Sequence, residues 1–71
     1  MDLKVGRSYE IDGGYIIPRS HFSDDKANQF AIVEILALGD NGHYTKTHTT
    51  LTKRQIRKAL QIPKNERIAI I

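Results

Sequence analysis

One turn limits this chain more than any other feature: Gly39-Asp40-Asn41-Gly42, set between an apolar run and a threonine-rich one. Asn-Gly supplies the positive φ angles that a tight hairpin needs. Before it, Gln29 to Leu38 predicts a central strand. Phe30, Ile32, Leu36 and Leu38 share one face with Glu34, while Ala31, Val33, Ile35 and Ala37 share the other. Apolar residues on both faces predict a strand covered on both sides, or one that coils across a barrel. After the turn, His43 to Thr50 reads as the antiparallel partner, rich in β-branched threonine. The rest of the chain must arrange itself around this hairpin.

A second hairpin precedes it. Leu3, Val5, Tyr9 and Ile11 alternate with polar residues, with Arg7 on the apolar side, which predicts a half-buried strand over 3–11. Asp12-Gly13-Gly14 predicts a tight turn, and Tyr15-Ile16-Ile17 a second strand that Pro18 limits by its missing N–H. Arg19 to Asn28 predicts a loop, with one helical turn capped by Ser23 and with Phe22 pinning it to the core. Ile68-Ala69-Ile70-Ile71 predicts a short closing strand paired inside the sheet.

Between the threonine strand and that last strand lies a helix with both ends written into the sequence. Thr52 and Gln55 form a capping box, Leu51 and Ile56 a hydrophobic staple, and Pro63 sets the stop. Ile56, Ala59 and Leu60 cluster on one side, and Lys53, Arg54, Arg57 and Lys58 on another, with centres roughly 140° apart at 100° per residue. Lys53 and Arg54 sit in the first turn, where the macrodipole is already positive and each cation costs about 0.3–1 kcal/mol. Acids there would stabilise the fold, so the cations point to a contact outside it. With the first-turn amides they predict an anion site that holds phosphate.

The element order is β-β-loop-β-β-α-β, mainly β with one short helix. That order resembles a small SH3-like five-stranded barrel. The alternative is an open antiparallel sheet with the helix packed on one face. Seventy-one residues predict a single small domain over 1–71. At this size a core rarely supplies more than about 3–5 kcal/mol without disulfides, metal or oligomerisation.

Charge is divided along the chain. Residues 1–42 carry four cations against seven acids, a net −3, whereas residues 43–71 carry seven cations against Glu66 alone, a net +6. A basic half predicts an anionic partner. There is no cysteine, hence no disulfide, thiolate ligand or thiol nucleophile. No signal-peptide pattern opens the sequence, and no apolar run approaches the roughly 20 residues of a membrane span. These readings predict a cytoplasmic protein with no membrane contact.

Enzyme chemistry finds little to build on. Asp24-Asp25 is a loop pair, Ser20-His21 adjacency is not a triad, and Gly13-Gly14 lacks the lysine and spacing of a phosphate loop. His43 and His48 fall on opposite faces of one strand, so no metal site is predicted, and no cofactor motif is present. Tyr44, Lys46 and His48, in contrast, share a strand face that offers an aromatic, a cation and a hydrogen bonder to nucleic acid.

The expected function is a small non-enzymatic nucleic-acid-binding regulator. Lys53, Arg54, Arg57 and Lys58 would meet the phosphate backbone, and Lys46, Tyr44 and His48 would extend the surface. The alternative is a protein-interaction module, such as a phage-type inhibitor, that docks the helix on an acidic or nucleic-acid-handling host protein. A continuous stripe from the helix to Lys46 favours the first; a separate knob beside exposed apolar residues favours the second. A third reading, a homodimer or larger homo-oligomer, predicts an uncovered apolar face on Ala31, Val33 and Ile35.

Overall fold

The computed structural model describes residues 1–71 and is mainly β, with one short helix. Four strands form an antiparallel meander in the order β2(Tyr9–Ile11), β3(Gly14–Pro18), β4(Phe30–Leu38) and β5(Tyr44–Thr52). β1(Asp2–Leu3) and β6(Ala69–Ile70) make a separate parallel pair, and α1(Lys53–Ala59) leads from β5 toward β6. No helix is long and apolar enough to cross a membrane.

The central hairpin forms as expected, although its connection is longer than the Asn-Gly pair alone. Leu38 pairs with Tyr44, leaving Gly39–His43 as the loop. Gly39 and His43 close it through a backbone bond of 2.8 Å, and Gly42 takes the positive φ. In the first hairpin Ile11 pairs with Gly14 across a two-residue Asp12-Gly13 turn. Gly14 has no room for a side chain: a Cβ there would stand 1.8 Å from the Leu36 carbonyl oxygen.

The alternating segment 3–11 is not one strand. Gly6 adopts φ +89°, and Arg7 N–H bonds back to the Lys4 carbonyl, so the chain turns between β1 and β2. Alternation reports which side chains want burial and is silent on where the backbone bends. The closing strand is also redirected. β6 runs parallel to β1 in its own pair, outside the meander, with Leu3 opposite Ile70. Ser23 caps no helix. It clamps the loop shut instead, its N–H donating to the Phe30 carbonyl and its hydroxyl accepting Phe30 N–H. Phe22 is half-buried against the core, as its apolar character predicts.

β4 shows which face of the sheet is inside. Ala31 and Val33 are fully buried, with Ile16, Ile56, Ile62, Leu3, Ile68 and Ile70 around them. The opposite face is open: Phe30 is 43% exposed, Ile32 49% and Leu38 52%. The strand is therefore covered along one side, and on the other only at its centre, where Glu34 is buried. The uncovered face on Ala31, Val33 and Ile35 that the homo-oligomer reading predicts is not present: Ala31 and Val33 are buried with Leu3, Ile56 and Ile70, and Ile35 packs half-buried against them. The ladder runs in the order β2, β3, β4, β5, and the sheet is antiparallel throughout.

Candidate phosphate-binding surface

α1 is positioned by both of its ends. Thr52 Oγ1 accepts from Gln55 N–H at 3.1 Å while Gln55 Oε1 accepts from Thr52 N–H at 2.8 Å, the expected capping box. The helix stops earlier than Pro63. Leu60 is the C-cap, and Gln61 lies in the left-handed region at φ 56°. Ile62 N–H then bonds the Arg57 carbonyl and Gln61 N–H the Lys58 carbonyl, a Schellman ending that seats Ile62 in the core. Pro63 comes after the chain has already turned.

The predicted amide anion site is not built. Lys53 N–H donates to the Gln29 carbonyl at 2.9 Å and Gln55 N–H to Thr52. What remains is side-chain charge, and the four cations do not share one fate.

Arg54 and Lys58 are exposed. Lys53 is half-buried: its ammonium donates to Gln29 Oε1 at 3.2 Å and stands 5.2 Å from the centre of the Phe22 ring. Arg57 folds back, one guanidinium nitrogen donating to the carbonyls of Pro63 and Glu66 at 2.5 and 2.6 Å. That contact turns the segment after α1 so that Lys64 joins Arg54, Arg57, Lys58 and Ile62 around one open groove. Lys64 was not singled out from the sequence. Its only signal was membership of the basic half, because its place depends on the chain reversal at Gln61.

Tyr44, Lys46 and His48 do share one face, and it is the outer face of the sheet. α1 inserts Ile56 on the inner side, among Ala31 and Val33. The seven candidate residues thus fall into two groups on opposite sides of the sheet, and no single stripe joins them. On the outer face Tyr44 pairs with Tyr15, ring centres 6.1 Å apart and tilted at 50°.

At the centre of that outer face sits a group the helix argument did not anticipate. Glu34 is only 5% exposed, and its carboxylate accepts from Arg19 Nη2 at 3.3 Å and lies 2.9 Å from His48 Nε2. Burial alone would raise its pKa. The Arg19 hydrogen bond and charge, with Lys46 and His48, outweigh that and hold it below the usual carboxylate range. An acid set between Val33 and Ile35 was the available signal, since a charge inside an apolar strand must find partners. It also engages His48 Nε2, leaving Nδ1 as that side chain's free nitrogen.

Compared with protein-family models, curated proteins and solved structures, the chain has no match.

Proposed function

We propose that this is a small, non-enzymatic nucleic-acid-binding protein of regulatory or accessory kind, which lays a phosphate backbone along the groove of Arg54, Arg57, Lys58 and Lys64. One observation carries the reading. Charged or polar contacts to carboxylates fall on Met1, Arg19 and His48, so Lys53, Arg54, Arg57, Lys58 and Lys64 all stand without a carboxylate partner. No carboxylate of the fold neutralises these charges, whereas a polyanion would neutralise several at once. Arg57 already spends donors on backbone carbonyls, leaving few groups for bidentate base reading, so binding should be weakly sequence-specific.

Fluorescence anisotropy of labelled DNA and RNA oligonucleotides across a salt series tests this. Four neutralised phosphates on duplex DNA give a log–log slope near about −3.6. Arg54→Glu with Lys58→Glu should flatten it. Affinity that does not change with salt overturns the proposal.

A second reading has its own support. The basic groove and Lys46 lie on different sides of the sheet with no stripe between them, and Lys46 shares its side with exposed apolar residues, which suits a protein-interaction module of phage-inhibitor type. As to architecture, we propose an SH3-like arrangement. The bonds Gly6 N–H to Pro18 carbonyl, 2.9 Å, and Val5 N–H to Ile71 carbonyl, 3.0 Å, support it by tying β3 and the β1–β6 pair to the same segment.

A further inference from the structure

The outer face of the sheet carries more apolar surface than a lone domain of this size needs. Phe30, Ile32 and Leu38 are exposed there, and Leu36 and Tyr15 are half-buried beside them. Accessible surface measures 5201 Å², against about 4,500 Å² expected for a compact monomer of this mass. The radius of gyration of 12.2 Å likewise exceeds the about 11 Å of a compact chain this long. Inside, only 11 of 71 residues are buried, so this core gains from any surface a partner can cover.

Charge placement identifies that partner. One row across the outer face reads Glu10, Tyr15, Leu36, Lys46, each opposite the next in register. The acid stands at one edge, the cation at the other, and neither has an ion-pair partner within the chain. A two-fold axis lying in the interface, parallel to the strands, sets each Lys46 against the other copy's Glu10 and stacks Tyr15 and Leu36 between them. Such a row is self-complementary, which is what an isologous contact requires. The next row holds Ile17, Glu34 and His48, and Glu34 is already answered by Arg19 and His48. Covering it strands no charge.

We infer that the occupant of this face is a second copy of the chain, packed sheet to sheet about a two-fold axis, with Lys46 of each copy paired to Glu10 of the other. The contact leaves α1 and its groove on the two outer surfaces of the dimer. It assigns Tyr44 and Lys46 to self-association and not to nucleic acid.

Sedimentation equilibrium over a wide concentration range tests it, with far-UV circular dichroism as the check on folding. The wild-type mass should rise from 8.1 kDa toward twice that value. Leu38→Glu, at an exposed position, should stay folded and monomeric. Lys46→Glu should weaken association about tenfold, and adding Glu10→Lys should restore it. A folded wild-type chain that stays at the monomer mass overturns the inference, as does dimerisation unaffected by Leu38→Glu. So does a charge swap that fails to restore association, or a monomer whose Tyr44 is needed to bind single-stranded oligonucleotides.

Discussion

Arg57 holds the carbonyl of Pro63 at 2.5 Å through the same guanidinium nitrogen that reaches Glu66, so one side chain of α1 fixes the path of the segment that follows it. This makes Arg57 a structural cation inside a cationic groove. Arg57→Ala should lower stability by about 1–2 kcal/mol, as expected for hydrogen bonds from a charged donor. Arg57→Lys should recover only part, because the lysine ammonium sits one bond short of the guanidinium nitrogen that reaches both carbonyls. Urea unfolding of the three proteins measures the order.

The first-turn cations should separate under the same substitution. Arg54→Glu removes a repulsion with the macrodipole and should raise stability by about 0.3–1 kcal/mol. Lys53→Glu gains the same term but loses the ammonium over Phe22 and the Gln29 bond, terms of similar size, so its net change should be near zero. Thr52→Ala, which removes the cap, should cost about 1 kcal/mol. Thermal melts of the three variants against wild type check both the signs and the ranking.

Gln61 occupies a conformation that glycine adopts freely and other residues adopt at a cost of about 1–2 kcal/mol. Gln61→Gly should therefore stabilise the protein by about 0.5–1 kcal/mol, the usual gap being narrowed by glycine's larger unfolded-state entropy. Gly14→Ala should do the reverse. Its methyl would meet the Leu36 carbonyl, so the β3–β4 ladder must part locally and the protein should lose several degrees of melting temperature. An unchanged melt for Gly14→Ala would mean the backbone there can shift freely.

Acid should loosen the outer face through Glu34. Its folded pKa lies below the ordinary carboxylate value, so the unfolded chain binds its proton more readily, and stability from this group is complete above the unfolded value. It is lost as pH falls through the folded value. The stability difference between wild type and Glu34→Gln should be constant above about pH 5 and shrink below about pH 4. Denaturant midpoints measured across that range give the profile.

Local chemistry was readable from the sequence wherever it was self-contained. The capping box at Thr52 and Gln55, the Asn-Gly hairpin and the limit at Pro18 each depend on residues a few positions apart. What could not be read depended on distant partners. Asp2 and Leu3 pair with Ala69 and Ile70 at the far end of the chain, so alternation through residue 11 hid the turn at Gly6. β4 is apolar on both faces, and only the placement of Ile56 and Ile62 decides that Ala31 and Val33 face inward. Helical angles put four cations on one side of α1, but the carbonyls that recruit Arg57 arrive only after the chain reverses at Gln61.

That reversal follows a helix of only seven residues, shorter than any that stands alone in water. The groove of Arg54, Arg57, Lys58 and Lys64 is consequently a product of folding, absent from the unfolded chain as an arrangement even though its charges persist. An anion that fits the arrangement prefers the native state and raises the melting temperature in proportion to the logarithm of its concentration. A polyanion that merely neutralises charge binds both states and leaves the melt where it was. Thermal shift therefore reports on shape, where affinity alone reports on charge.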